Sequence, residues 1–538
     1  MKITTYQETV AYLEGFIGKI VFKVDPETVK LHPPLDRMKI LLSLLDNPQE
    51  KFKSILVGGT SGKGSTAYLI SHILKTAGYK TGLTISPHLQ KINERIQING
   101  KSVSDEEFTV MVSSIVRTIE LMQSTKVGAP SYFEILIAMA FLYFAEQKVD
   151  IAVVEVGMGG EFDATNTLYP LVAVLTNVSL DHTSVLGGTV QKIARTKAGI
   201  IKKAQSAKRK AQNYKDNLVV ITGIRQPSVI KIVEEKCREV GARLYRLDKD
   251  FHFKIKKEIV GGMLFDLTTV SDRALQLNDL KLSLLGKYQA ENASLAVETV
   301  LQLRKFGFKV SEDHIRRALK SAFFPGRFEI VKIDSLLRRA SSFDMLRTNP
   351  ERSRMGSLAQ DKTSSTLVLD GAHNPTKMKA FLKTLKKLYP KNPKIFIVAF
   401  KNDKDIKSML SQILKLADKV IITEFTAKTD MSKNASAGAL NLKSQISRLA
   451  EAPAKRANLK TDAGVFVEKD PKRALQNAIR ASAVQQYNNL PRRPLRPASP
   501  PASPRGESLG GREASKAGPT IVVVTGSLYL VGEVRNML

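Results

Sequence analysis

The chain has 538 residues, of which 43% are apolar, and it carries a formal net charge of +32 at pH 7. This length exceeds what one hydrophobic core usually supports, so we expect two or more domains, and the apolar content excludes wholesale disorder. The one cysteine, Cys237, excludes an intramolecular disulfide and fits a reducing compartment. The polar N-terminal segment lacks the apolar stretch of a secretory signal, and the apolar run at 133–144 is too short to span a bilayer. We therefore expect a cytoplasmic protein without a membrane partner.

The positive charge has two explanations. Clustered lysine and arginine can mark a nucleic-acid binder because they neutralise phosphates, and an anionic substrate is a sufficient reason as well. Much of the surplus lies in two stretches, 202–215 and 492–516, which look inserted rather than packed. We therefore expect small anionic substrates and no nucleic-acid partner.

The first half of the chain alternates short apolar runs with helical patterns, which indicates a parallel sheet with crossover helices. The predicted strands are 54–57, 81–85, 151–156 and 172–178. The predicted helices run from the glycine turn after the first strand to about Ala77, over 133–147 and over 284–303.

The sequence FFPG at 323–326 predicts a break after a helix that ends near Ala322, and a second series of strands and helices follows. Its predicted strands are 366–369, 395–400, 420–423 and 521–524, and its predicted helices are 376–388 and 406–417. We predict an α/β protein with an N-terminal P-loop-type parallel-sheet domain at 1–322 and a smaller C-terminal Rossmann-like α/β domain at 323–538. Polar inserts are expected at about 202–216, 336–365 and 430–519.

A glycine-rich loop between the first strand and its helix predicts a phosphate site. The loop consists of Gly59, Thr60, Ser61, Gly62, Lys63, Gly64 and Ser65. Its backbone N–H groups, the helix N-terminus and the lysine charge all favour phosphate. It departs from the common P-loop, because Val57 replaces the first glycine and Gly64 follows the lysine where Ser or Thr is usual. The alternative is a glycine turn with an exposed lysine.

The chain resembles the folylpolyglutamate/dihydrofolate synthase branch of the ATP-dependent Mur-type ligases, which carry this variant loop. The resemblance covers about residue 55 to the C-terminus, and its motifs occur in the family's order. They are GTSGKGS (59–65), TISPHLQKINERI (84–96), YFE (132–134), EVGMGGEFDATN (155–166), LDH (180–182), KAGIIK (197–202), LGKYQAEN (285–292), PGRFE (325–329), LDGAHNP (369–375), DKD (403–405) and TGSLYLVGEV (525–534).

The resemblance implies a reaction between ATP, L-glutamate and either folate or dihydropteroate. ATP would transfer its γ-phosphoryl group to the pterin-linked carboxylate, and the glutamate amine would then displace phosphate from the acyl phosphate. The two anions repel one another, so Mg²⁺, at two sites, is the implied cofactor. A monomer is the expected state.

By resemblance, the magnesium ligands are Ser86, Glu155, His182 and Lys197, the last only if carbamylated. A protonated lysine has no lone pair to give, so carbon dioxide must first convert it to a carbamate. Alternatives remain open for each residue: Glu155 could be a paired surface carboxylate, and Asp181-His182 could cap a helix. Lys197 could stay an ammonium that holds a phosphate. With Lys63, the residues Lys197, Glu155 and His182 form the implied catalytic set.

Further ATP contacts are implied for Asn292, Arg327, Asp370 and His373, and Lys404-Asp405 is a candidate loop for glutamate. Since these residues come from both predicted domains, domain closure would exclude water from the acyl phosphate. For Asp370 and His373 the alternative is a turn with local hydrogen bonds.

Some residues depart from the family pattern, and they bear on substrate preference. They are Glu161, Phe162, Tyr288 and Phe324. Two other functions stay open: a Mur-type ligase for another acid, or a non-catalytic relative that binds nucleotide or RNA. The segment ERI and the motif SPHL favour the folate branch, and the intact implied catalytic set favours an enzyme.

The run PRRPLRPASPPASPRGES is too polar and proline-rich to build a core. Deleting residues 490–519 should therefore leave glutamate-dependent ADP formation within about twofold of the intact chain, because a solvated segment contributes no packing. ADP release and far-UV circular dichroism of the deletion variant test this. Loss of folded protein would place the segment in a core.

Overall fold

The structure is a computed structural model that describes residues 3–18, 35–203, 218–269, 274–333, 366–426, 436–439, 441–442, 464–488 and 518–538. These residues form two compact units, which divide between Pro325 and Gly326. No helix within the described ranges is both long and apolar enough to cross a membrane.

The first unit contains eleven strands within its described residues. They are β1 (Lys53–Gly58), β2 (Thr81–Thr84), β3 (Ile96–Ile98), β4 (Lys101–Ser102), β5 (Ile151–Glu155), β6 (Val172–Leu175), β7 (Val219–Thr222), β8 (Arg243–Arg246), β9 (Phe251–Ile259), β10 (Gly262–Thr269) and β11 (Leu275–Leu282). Its α-helices are α1 (Tyr6–Glu14), α2 (Asp36–Leu44), α3 (Lys63–Thr76), α4 (Asp105–Gln123), α5 (Tyr132–Glu146), α6 (Thr183–Leu186), α7 (Val190–Ala198), α8 (Pro227–Val240), α9 (Lys287–Gln302) and α10 (Glu312–Ser321).

Eight strands of this unit form one sheet in the order β4-β3-β2-β5-β1-β6-β7-β8. The strands from β2 to β8 in that order run parallel, and β3 and β4 are antiparallel at one edge. Successive residues point to opposite faces of a strand, so Ile55 and Leu56 lie in different hydrophobic clusters. Both faces are therefore covered by helices, which is why the strands read as continuous apolar runs.

A separate antiparallel sheet, β11-β10-β9, was not predicted from the sequence. Its strand β10 alternates buried with half-buried residues, and β9 is mostly exposed or half-buried; Phe251 and Phe265 are fully buried. The alternation in FHFKIKKEI is the period-2 signal of a half-buried strand, and it could have indicated this sheet.

The second unit contains β12 (Glu329–Lys332), β13 (Thr366–Leu369), β14 (Lys394–Val398), β15 (Lys419–Ile422), β16 (Gly464–Val467) and β17 (Ile521–Thr525). Its helices are α11 (Pro375–Leu388), α12 (Ile406–Leu414), α13 (Pro471–Asn488) and α14 (Leu528–Asn536). The sheet order is β12-β13-β17-β14-β15-β16, parallel throughout except for β12. The predicted α/β class, with a parallel sheet in each half of the chain, is confirmed.

The predicted polar insert at 430–519 is too wide. Within it, β16 pairs in parallel with β15, and α13 buries Ala474 and Ala478. The strand is short and the helix buries mainly small side chains, so neither gave a strong apolar signal. The predicted inserts at about 202–216 and 336–365 lie outside the described residues, except for 202 and 203. The parts 430–435, 443–463 and 489–517 of the third predicted insert also lie outside them.

Candidate active site

Four neighbouring parallel strands of the first unit bring the predicted residues to one edge of the sheet. In the order β2-β5-β1-β6, the loops after β2, β1 and β6 carry Ser86, the phosphate loop and His182, and Glu155 is the last residue of β5. Since the carboxyl ends of parallel strands share one edge, this is where such folds bind ligands. The sheet thus assembles residues that lie up to 123 positions apart in sequence (59 to 182).

The glycines of the phosphate loop are needed for close backbone approach. Gly59 has φ of +133° and Gly62 has φ of +84°, which L side chains rarely adopt. A Cβ atom on Gly59 would overlap Thr176 Oγ1, and one on Gly62 would overlap Asn292 Oδ1. Gly62 caps α3, so Lys63 is the first helical residue. Asn292, predicted to contact ATP, therefore lies against this loop.

Side chains that the sequence analysis missed hold the phosphate loop from the segment after β6. Asn177 Oδ1 accepts the Ser61 N–H at 3.0 Å, and Asn177 Nδ2 donates to Ser61 O at 2.9 Å. Thr176 Oγ1 donates to the same carbonyl at 2.7 Å, and Ser179 N donates to Thr60 Oγ1 at 3.1 Å. The sequence TNVS directly after a buried strand was the signal that could have found them.

Glu155 explains the unusual glycine after the loop lysine. Its side chain is buried, and its Oε2 accepts the Ser86 N–H at 2.8 Å. A Cβ atom on Gly64 would lie 3.2 Å from that oxygen, tighter than an ordinary contact. The Ser or Thr of a common P-loop would therefore crowd the carboxylate, and Gly64 leaves it room.

Lys197 is buried on α7 and reaches the phosphate loop. Its Nζ donates to Gly59 O at 2.8 Å. Burial, and next the Lys63 charge, lower the pKa of Lys197 to about 7 against the raising effect of the Asp181 charge. Lys197 therefore has a substantial neutral amine fraction at neutral pH, unlike an exposed lysine.

His182 precedes α6 in the left-handed region, with φ of +48°. Its ring is half-buried, and Nε2 lies 3.9 Å from Asp181 Oδ1. Within the described part of the chain, no group of three His, Cys, Asp or Glu side chains lies together as a metal cluster.

In the second unit, the loop after β13 places Asp370 in a buried turn. Its carboxylate accepts N–H groups from Phe328 and Ala372, each at 2.9 Å. Burial raises the pKa of Asp370 to about 6, against the lowering effect of the Arg327 charge. The structure therefore brings Asp370 and Arg327, both predicted to contact ATP, to one loop junction.

His373 has a partner that the sequence analysis missed. Its Nδ1 lies 2.8 Å from Gly371 O, and its Nε2 lies 3.0 Å from Lys377 Nζ. Burial, and next the Lys377 charge, hold the pKa of His373 well below its usual range. The ring is therefore neutral, with Nδ1–H as donor and Nε2 as acceptor, and the cation at this point is Lys377. Its spacing of four residues, one helical turn, was the available signal.

The candidate glutamate loop follows β14. Asp405 caps α12 by accepting the Ser408 N–H at 3.1 Å, and Lys404 Nζ lies 3.3 Å from Asp403 Oδ2. Asp405 is thus accounted for by a structural role.

Two family models match the chain and place this sheet edge, with its phosphate loop, in a Mur-type ligase. Residues 57–300 match the family model described as Mur ligase middle domain, and residues 354–489 match the model described as dihydrofolate synthetase, C-terminal domain.

Relatives that match over most of their length define the family of ligase more closely. The chain is 30% identical over 424 residues to the dihydrofolate synthase/folylpolyglutamate synthase of Bacillus subtilis, covering 78% of this chain and 86% of that protein. It is 31% identical over 410 residues to the folylpolyglutamate synthase of Lacticaseibacillus casei, covering 76% and 82%. The chain therefore belongs to the folylpolyglutamate/dihydrofolate synthase family of ATP-dependent ligases, as the motifs predicted.

Solved structures agree with this assignment. The folylpolyglutamate synthase of Thermotoga maritima matches with a TM-score of 0.69 and 30% identity, covering 99% of this chain and 96% of that one. The Mycobacterium tuberculosis folylpolyglutamate synthase complexed with ADP matches with a TM-score of 0.74 and 27% identity, covering 99% and 98%.

Replacing Asn177 with Ala should raise the KM for ATP about tenfold, because Ser61 loses its two hydrogen bonds to the Asn177 side chain and keeps only the one from Thr176. The matched control is Asn278→Ala, an exposed asparagine on β11. Steady-state ADP release against ATP concentration measures the change. An unaltered KM in Asn177→Ala would mean that the loop keeps its shape without this support.

Proposed function

We propose that this chain joins L-glutamate to the carboxylate of dihydropteroate or of a folate, with ATP as the phosphoryl donor. The observation that carries the proposal is the sheet edge where Glu155 lies beside Gly64 and bonds Ser86. A buried carboxylate next to a phosphate loop would repel phosphate unless a divalent cation lies between them, and a reaction between two anions needs such a cation. The relatives' names supply the substrate class, since they pair dihydrofolate and folylpolyglutamate synthesis.

The proposed chemistry has two steps. The carboxylate oxygen of the pterin acid attacks the γ-phosphorus of ATP, ADP leaves, and an acyl phosphate forms. The glutamate amine then attacks the acyl carbon, loses a proton, and phosphate departs from the tetrahedral intermediate with the carbon–oxygen bond. Backbone N–H groups of the loop (Gly59, Thr60, Ser61, Gly62, Lys63, Gly64 and Ser65) and the Lys63 ammonium bind the phosphates and stabilise the transferring charge.

The donor set at the sheet edge fits magnesium. Glu155 and Ser86 offer hard oxygens, and His182 adds a nitrogen that is less typical for this ion. When bound, at the two proposed sites, magnesium would neutralise the phosphate charge so that the pterin carboxylate can approach. Lys197 fits as a magnesium ligand only as a carbamate, because its protonated amine has no lone pair and magnesium prefers the oxygens that a carbamate would offer.

Lys197 is suited to react with carbon dioxide, and we propose that it does. Only a neutral amine attacks carbon dioxide, and burial beside Lys63 supplies that form near neutral pH. The amine nitrogen bonds the carbon of carbon dioxide, an electron pair of one C=O bond moves to its oxygen, and the nitrogen releases a proton to water. The product carbamate carries a negative charge, so it would replace repulsion from Lys63 with attraction. This change of sign explains why a lysine can stand beside the loop lysine.

The remaining nucleotide contacts are proposed for Asn292 in the first unit and for Arg327, Asp370 and His373 in the second. Asn292 lies against Gly62 of the loop. Asp370 would act by accepting the N–H of Phe328, the residue after Arg327. His373 would act through Lys377, whose ammonium lies beside its ring. We further propose a monomer in the cytoplasm; the single, buried Cys237 fits a reducing compartment.

The test is a mass-spectrometric product assay with Mg²⁺, ATP and glutamate that offers dihydropteroate and a reduced folate separately. Glutamyl amide formed from either acceptor supports the proposal, and the acceptor used decides between the two activities. No amide from either acceptor would favour a ligase for another acid. Salt-dependent RNA affinity without turnover would favour the binding function.

Lys63→Ala and Glu155→Ala should each lower glutamate-dependent ADP formation at least about 100-fold, because Lys63 supplies positive charge to the phosphates and Glu155 is a proposed oxygen ligand of the magnesium that neutralises them. Lys75→Ala is the matched control, since Lys75 is exposed on the same helix as Lys63. Circular dichroism must show folded variants. Turnover like that of the unaltered chain in either variant would refute the assigned site.

Carbamylation of Lys197 should increase as pH rises from 6 to 8, because the neutral fraction grows through the pKa of about 7. An exposed lysine, with a pKa near 10.4, stays protonated in this range. Carbon-13 NMR with labelled bicarbonate measures the carbamate signal. The signal should vanish in Lys197→Met and persist in Lys192→Met, an exposed lysine of the same helix; a signal retained in Lys197→Met would contradict the assignment.

A further inference from the structure

Arg327 is a proposed nucleotide contact. The backbone N–H groups of the residues before and after it each donate a hydrogen bond to a carboxylate. The Gly326 N–H donates to Glu329 Oε2 and the Phe328 N–H to Asp370 Oδ2, each at 2.9 Å. Both carboxylates are buried. Two fixed points on either side of one residue determine the direction in which its side chain leaves the backbone.

The backbone next to Arg327 is strained. Phe328 has φ of +51°, a left-handed conformation that is uncommon and unfavourable for a bulky residue. Its ring is buried and lies 5.4 Å, centroid to centroid, from the Phe381 ring. Such a conformation persists only where the surroundings impose it, and strain of this kind clusters at ligand sites.

The C-terminal helix α14 holds the same loop from the other side. Arg535 Nε lies 3.1 Å from both carboxylate oxygens of Glu329. At the start of this helix, Leu528 packs so closely on Gly371 that a Cβ atom there would overlap its side chain. The Gly371 N–H in turn donates to Gly326 O at 3.0 Å. One helix thus supports the Arg327 turn both through Gly371 and through Glu329.

We propose that Arg535 is a positioning residue for the ligase reaction: through Glu329 it fixes the backbone turn that aims Arg327 at the nucleotide. The inference rests on the proposed nucleotide role of Arg327. Without Arg535, Glu329 would be a buried carboxylate lacking its cation. It would then turn toward another cation or toward water, and Gly326 would lose its acceptor.

The first experiment compares Arg535→Met with Arg535→Lys and with the control Arg480→Met, an exposed arginine on α13. Arg535→Met should raise the KM for ATP about tenfold with kcat within about twofold, because orientation is lost while the reacting groups remain. Arg535→Lys should recover part of the loss. Arg480→Met should match the unaltered chain. An unchanged KM in Arg535→Met would overturn the proposal. So would a roughly tenfold fall in kcat with the KM unchanged.

A second variant keeps the test valid if Arg535→Met folds poorly. Glu329→Gln retains an oxygen for the Gly326 N–H and needs no cation, so the pair Glu329→Gln/Arg535→Met should restore the KM to within about twofold of the unaltered chain. Failure of this rescue in a folded protein would show that Arg535 does not act through Glu329.

A double-mutant cycle with Arg327→Ala separates the two proposals. If Arg535 acts through Arg327, adding Arg535→Met to Arg327→Ala should change the KM less than about twofold. Additive effects would overturn the positioning role while leaving Arg327 as a nucleotide contact. A normal KM in Arg327→Ala would instead refute the assigned nucleotide contact, and the positioning role with it.

Discussion

The hydrogen bond from Lys197 Nζ to Gly59 O connects the buried lysine to the phosphate loop, and the chemistry proposed for the first unit depends on both. It joins α7 to the phosphate loop and places two lysine side chains near one loop in a buried setting. Desolvation and like charge both disfavour the second cation, so the site favours a neutral amine or an anion there. The proposed phosphate site thus lies beside a lysine whose positive charge is disfavoured by burial.

Three buried carboxylates described above accept hydrogen bonds from backbone N–H groups. Glu155 accepts from Ser86, Asp370 from Phe328 and Ala372, and Glu329 from Gly326. Hydrogen bonds to charged acceptors are stronger than neutral ones, and backbone N–H groups fix loop geometry directly. Loops after strands are thereby made rigid enough to serve as ligand sites.

The phosphate loop differs from the common P-loop for a structural reason. The departure of the loop from the common P-loop, Gly64 in place of Ser or Thr, follows from the position of Glu155 at the end of the neighbouring strand. The residue after the loop lysine is small because a carboxylate occupies the space. The glycine at position 64 and the glutamate at position 155 therefore depend on each other.

The sequence by itself determined the α/β class, the phosphate loop and the family, because apolar periodicity and glycine spacing are local signals and the motifs kept their order. It did not indicate that Asn177 holds Ser61 or that Arg535 holds Glu329, since 116 and 206 residues separate these pairs. Nor did it separate β16 and α13 from the polar segments around them. Only the tertiary structure decided those points, because hydrogen bonds and burial depend on which strand ends the fold brings together, and strand order is set by long-range packing rather than by local pattern.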